Sequence, residues 1–152
     1  TLHAGEAFGP ESIHQAIHSC GTHRIGHGTR LKENRNLMQY VNDHRIPLEI
    51  CLNSNIHTKS ISTLREHPFP EYLNKHLRVT LNTDNRLISN TTLTNEYLTA
   101  VNQYNLNANQ IRTIIINGFK SAFLPHDERR NMIKKIVDEL ESEFGFDERV
   151  IV

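Results

Sequence analysis

The sequence predicts an α/β domain built on a parallel sheet, from two observations. Short β-like runs alternate with helical patterns four times, and the residues with chemistry to offer fall at one end of those runs. The first run, "TLHA", leads through Gly9 and Pro10 into "ESIHQAIHSC". There Ile13, Ala16, Ile17 and Cys20 keep the i, i+3, i+4, i+7 spacing of one helix face, and Pro10 suits the first turn. "HRIGHG" is the second strand, and a helix from Glu33 to Asp43 follows it, burying Leu37, Met38 and Val41. "IPLEICL" (Ile46 to Leu52) is the third, followed by a loop from Asn53 to Ser62 and a short helix from Pro70 to His76. "LRVTLNTD" (Leu77 to Asp84) is the fourth. Strand, loop and helix in repeated order give parallel β/α topology.

The remainder is helical. Leu93 to Tyr104 sets Tyr97, Leu98 and Val101 on one face, and Ala108 to Ala122 does the same with Ile111, Ile114, Ile115, Gly118 and Phe119. A last helix, His126 to Phe144, is expected to bury Met132, Ile133, Ile136, Val137 and Leu140. Its other face mixes Arg129, Arg130, Lys134 and Lys135 with Asp138, Glu139, Glu141 and Glu143, which marks it as solvated.

Seventeen Lys+Arg balance seventeen Asp+Glu, so the net charge gives no reason to expect nucleic acid, a membrane surface or an acidic partner. No apolar run approaches the ~20 residues that span a bilayer. Cys20 and Cys51 form no C-x-x-C and are too few for a disulfide framework, so a reducing cytoplasm fits best. The 152 residues suffice for one domain or part of one.

Ten histidines are the compositional oddity, since imidazole serves metal sites and proton transfer near neutral pH. His3 and Glu6 lie at the exit of the first strand, His27 at the second, Glu49 within the third, and Asp84 with Asn85 at the fourth. The carboxyl ends of parallel strands are where loops converge and active sites form. Singly, each has a plainer reading: His3 as a hydrogen-bonded strand residue, Glu6 as a helix-start carboxylate, Asp84 as a turn residue. His27 between Gly26 and Gly28 is harder to set aside, because two glycines clear space around one imidazole. His14 and His18 have a helical i, i+4 metal spacing, but no glutamate stands beside His14. His44, His57, His67, His76 and His126 read as solvated, and Cys51 as packed.

The stretches "TLHAGEAFGPESI", "RIGHGTRL", "IPLEICLNSN", "RVTLNTDN" and "INGFKSAFLPHDERR" occur in this order. Together they resemble the second half of the bacterial-type adenosine deaminases, a family of metal-dependent amidohydrolases. The resemblance implies that residues 1–152 are the C-terminal half of a single (β/α)8 barrel, about strands five to eight plus the C-terminal helices, since a complete barrel needs ~250 residues. It implies hydrolytic deamination of adenosine to inosine and ammonia, with one Zn2+ per complete barrel. His3 and Asp84 would be zinc ligands, Glu6 the acid that protonates N1 of the purine, and His27 the group that orients the attacking water. Asn85 stands where many members have an aspartate that contacts N7, and an amide can donate there without first being protonated. Glu49 is the candidate partner of His27. Gly26 favours the adenosine branch, because adenine and AMP deaminases often carry aspartate there.

The family's remaining zinc ligands form a His-x-His on the first barrel strand, and this chain contains none. Two protein ligands fall short of the three usual for catalytic zinc. An N-terminal half is therefore expected, as a separate half-barrel chain produced by cleavage or as residues preceding Thr1, and without it the fragment should be inactive; a dimer of half barrels is weaker, because it would duplicate His3 and Asp84 without restoring His-x-His. Deamination of another 6-aminopurine such as adenine or AMP, or purine binding without catalysis, are the alternatives.

Overall fold

The computed structural model describes residues 1–145, without the Phe144 side chain, and the expected domain's remaining residues 146–152 lie outside the described part. Four strands, β1 (Leu2–Ala4), β2 (Ile25–His27), β3 (Leu48–Ile50) and β4 (Val79–Leu81), form one sheet in the order β1-β2-β3-β4 with every neighbouring pair parallel. The crossovers carry α1 (Pro10–His18), α2 (Arg35–Asp43), and then α3 (Leu52–His57) with α4 (Phe69–Asn74). After β4 come α5 (Arg86–Ser89), α6 (Leu93–Tyr104), α7 (Ala108–Lys120) and α8 (His126–Phe144).

The strands are buried because helices cover them, and Ile25, Leu48, Ile50 and Val79 are fully enclosed with Ile13, Val41, Phe69 and Ile114. Tyr72 ties α4 to the exit of β2. Its hydroxyl lies 3.0 Å from the Gly28 carbonyl and accepts from the Lys32 N–H at 2.8 Å. Among the described residues β1 pairs only with β2 and β4 only with β3, so the sheet has two open edges. A groove of about 640 Å³ runs beside β4, lined by Leu81, Leu93, Tyr97, Ile115, Phe119 and Met132.

Several local expectations change. The expected loop from Asn53 begins as α3, and α5 and two 3-10 turns (Thr29–Glu33, Leu64–Glu66) are additional; these are too short to show a periodicity. Helix α1 ends at His18, which leaves Cys20 exposed past its end. In α6 the buried residues are Glu96 and Ala100, and Leu98 is exposed. The Glu96 carboxylate turns inward because Asn53 Nδ2 (2.7 Å) and Thr91 Oγ1 (3.0 Å) donate to it. In α7 the buried set is Arg112, Ile114, Ile116 and Asn117, so Ile115 and Phe119 line the groove. No described residue of α8 is buried: Ile133, Ile136, Val137 and Leu140 are half-buried and Met132 is exposed. Among the described residues that helix packs against α7 as its main neighbour, which leaves its apolar stripe half-covered.

Candidate active site

The exits of β1 and β2 supply the side chains that meet, and residues following β3 and β4 stand around them. His3 lies in β1 opposite Gly26 of β2, and a Cβ at Gly26 would sit 2.7 Å from His3 Cδ2. The glycine is therefore required by its neighbour's ring. His27 ends β2 with φ 66°, and Asp84 follows β4 with φ 53°. Non-glycine residues enter that left-handed region at a cost, and two of them at the strand exits mark a place where side-chain direction is imposed by the surrounding structure.

The structure brings His3, Glu6 and His27 together, with one ligand-type atom from each within 4.8 Å of the others. His27 Nε2 lies 3.3 Å from His3 Nδ1 and 3.5 Å from Glu6 Oε2, and the two rings meet edge to face. Glu6 Oε1 accepts from Thr58 Oγ1 at 3.0 Å and from Asn55 Nδ2 at 3.3 Å, which leaves Oε2 as the oxygen facing His27. Asp84 stands outside that trio. Its Oδ2 accepts from Ser54 Oγ at 2.7 Å, and the residue is exposed. Asn85 caps α5, with Oδ1 accepting from the N–H groups of Leu87 (3.1 Å) and Ile88 (3.0 Å). The cap fixes the amide's orientation and leaves Nδ2 as a directed donor.

Glu49 is not the hydrogen-bonding partner of His27. Its carboxylate pairs with Arg24 Nε at 3.1 Å and accepts from Thr1 Oγ1 at 2.7 Å, because a cation competes better for a carboxylate than a neutral imidazole does. Asn55 of α3 takes that place, with Nδ2 donating to His27 Nδ1 at 3.1 Å. Behind it lies His67, which is 3 % exposed and so corrects its reading as a solvated residue. The polarity of this chain of bonds is fixed from its far end. The Phe69 N–H can only donate, and it donates to His67 Nδ1 at 3.0 Å. His67 Nε2–H then donates to Asn55 Oδ1 at 3.2 Å, which turns the amide nitrogen toward His27. His27 Nδ1 is thereby an acceptor, and its proton sits on Nε2, inside the site.

Burial lowers the pKa of His27, with Glu6 opposing it and His3 adding to it. Burial, helped by Lys32 and His27, brings His67 down from 6.5 to about 3. The unfolded chain protonates this ring near 6.5, so between those values it binds the extra proton and the folded state does not. Stability is therefore unaffected by His67 above about pH 6.5 and falls by several kcal/mol as pH drops toward 3. Urea unfolding at pH 7 and pH 4 should show this loss, and His67→Gln should reduce it; an equal acid loss in the variant would contradict the assignment. Cys51 is buried, and burial with the nearby carboxylates Asp84 and Glu96 raises its pKa, which suits a packed thiol. His14 and His18 stack on the surface with ring centroids 4.3 Å apart, away from this site.

Asn55, Thr58 and His67 were not visible as site residues in the sequence. The available signal was position: Asn55 stands in the first helix after β3, which the expected loop obscured.

A family profile described as "Adenosine deaminase" matches residues 1–139. The adenosine deaminase of Mycobacterium sp. (strain JLS) is 40% identical over 90% of this chain, and this chain spans 41% of that protein's length. The N6-methyl-AMP deaminase of Arabidopsis thaliana superposes with a TM-score of 0.79 at 32% identity, covering 93% of this chain and 41% of that one. The adenine deaminase of Arthrobacter aurescens superposes with a TM-score of 0.87 over 92% of this chain and 43% of its own; at 23% identity it shows likeness of fold. Among the described residues no helix is long and apolar enough to cross a membrane.

Proposed function

Because the chain belongs to the adenosine deaminase family, we propose that it is the C-terminal half of a (β/α)8 barrel that hydrolyses adenosine to inosine and ammonia. The observation that carries this reading is the meeting of His3, Glu6 and His27 at the exits of adjacent parallel strands, with Asp84 and Asn85 at a third. An imidazole and a carboxylate are donors that suit zinc, and a second imidazole beside them suits hydrogen bonding to a water. The polarity of the Asn55 bond separates the roles: a protonated Nε2 cannot ligate a metal, so His27 is a hydrogen-bond donor, and His3 with Asp84 would hold the ion. Zinc there would supply hydroxide near neutral pH by lowering the pKa of water to about 7.

The chain's own residues do the rest. Attack at C6 breaks the ring's aromaticity and places electron density on N1, so a proton must arrive there; the C6–N bond then breaks, the amino group leaves as ammonia with one proton of the attacking water, and the other restores the acid. Glu6 delivers it from Oε2, the oxygen left open while Thr58 and Asn55 engage Oε1. His27 Nε2–H donates to the attacking oxygen and stabilises its charge. Asn85 Nδ2 donates to N7, held in that direction by the α5 cap. Ser54 orients Asp84 by donating to Oδ2.

Two protein ligands, two open sheet edges among the described residues and an apolar groove beside β4 support an N-terminal half that carries the remaining ligands, in the same longer chain or as a companion. Intact-mass and gel analysis of active material should show that half; an active preparation consisting of a single 17.6 kDa species would contradict it. The free cysteines support a reducing, cytoplasmic setting. The substrate is tested with adenosine, adenine and AMP supplied to the assembled protein. Adenosine should give the highest kcat/KM. Preference for adenine or AMP would move the reading to another 6-aminopurine, and purine binding with no ammonia release would make the protein a binding remnant.

A further inference from the structure

A second cluster of charge lies at the opposite end of the sheet. Arg24 precedes β2, Ile46 and Pro47 precede β3, and Arg78 precedes β4, which places these residues at the strands' N-terminal ends. Between them and the turn joining α7 to α8 is a cavity of about 540 Å³, lined by Arg45, Arg78, Lys120 and Arg129 among others, with no carboxylate among its described lining residues. An adjoining cavity shares Arg45, Arg78 and Lys120 and also lacks a carboxylate among its described lining residues.

Backbone carbonyls take some of the donors. Arg45 Nη1 donates to His76 O at 2.7 Å and Arg129 Nη1 to Ala122 O at 3.4 Å, but carbonyls are neutral and leave the net charge in place. Arg24, which also lines the cavity, differs because Glu49 offsets it. Arg78 Nε is buried with no hydrogen-bond partner. The cations also act on one another. Burial first, then Arg45 and Arg129, lowers the pKa of Arg78; burial, then Arg78 and Arg45, lowers that of Lys120. In a chain whose charges balance seventeen to seventeen, this cluster has no carboxylate lining either cavity among the described residues. A multiply charged oxyanion would relieve the repulsion by accepting from the guanidinium and ammonium groups that line the cavity.

We propose that this cavity binds a phosphate-type oxyanion, with Arg78 as its central ligand and Arg45, Lys120 and Arg129 around it. The site shares no residue with the strand exits carrying His3, His27 and Asp84, so it stands independently of the deaminase reading. The shared chemistry is a phosphate group, and inorganic phosphate and ribose 5-phosphate distinguish a free ion from a phosphate monoester.

The test is titration of each into the assembled protein at constant ionic strength, followed by calorimetry and thermal unfolding. Inorganic phosphate should bind saturably and raise Tm, and chloride should not. Equal binding of ribose 5-phosphate would identify a monoester site, and its exclusion a free-ion site; either supports the proposal. Arg78→Met should weaken phosphate binding about ten-fold or more. Should that variant fail to fold, Arg129→Gln at the cavity's edge serves the same purpose. Non-saturable binding, an equal response to chloride, or unchanged affinity in a folded variant would overturn the proposal.

Discussion

Glu6→Gln is expected to keep metal and substrate bound while turnover falls by about a hundred-fold or more. Glutamine is nearly isosteric and retains an oxygen to accept from Thr58 and Asn55, so the loop that carries residue 6 keeps its hydrogen bonds. What it lacks is an acidic proton at the position of Oε2. Density that develops on N1 during attack at C6 then has no donor of sufficient acidity, and the barrier rises although the ground-state complex is undisturbed. The loss should therefore fall on kcat, with KM and zinc content close to those of the parent. A variant with normal turnover would refute the acid role of Glu6.

Loss of metal is the second large effect, expected for His3→Ala. With few ligands contributed by this chain, removing one imidazole should weaken zinc binding more than a hundred-fold, beyond the roughly 10–100-fold typical of changes to a ligand's supporting partners. Gly26→Ala tests the same geometry without touching a ligand. The new methyl would fall 2.7 Å from His3 Cδ2 and 3.3 Å from its Cα, so the ring must move. Zinc content by elemental analysis should drop in both proteins, more in the first. Full zinc occupancy in His3→Ala would remove His3 from the metal site.

How much of this was legible in the sequence depends on whether the signal was local. The first two strands are short but each is followed by a helix of clear periodicity, and α2 buries the expected Leu37, Met38 and Val41. His3, Glu6, His27, Asp84 and Asn85 could be singled out because strand exits face one end of a parallel sheet. The trio of His3, Glu6 and His27 meets as that rule requires, whereas Asp84 remains apart, held by Ser54. The Asn55–His67 relay was not legible, because its members are joined by folding over twelve and twenty-eight positions and no spacing announces them. Glu49 hydrogen-bonds to Arg24 and Thr1, not to His27, for a related reason: which cation or imidazole a strand carboxylate reaches is decided by geometry across strands. The stripe of α8 shows the opposite limit. Its periodicity describes which side could be buried, and Ile133, Ile136 and Val137 stay half-buried because little in the described structure lies against them.

The most direct test is release of ammonia and inosine from adenosine by the assembled protein, before chelator, after chelator and after zinc is restored. Turnover should disappear with the metal and return as zinc approaches one ion per complete barrel. Turnover that is indifferent to chelator, or a protein that binds one zinc and purine yet releases no ammonia, would contradict it.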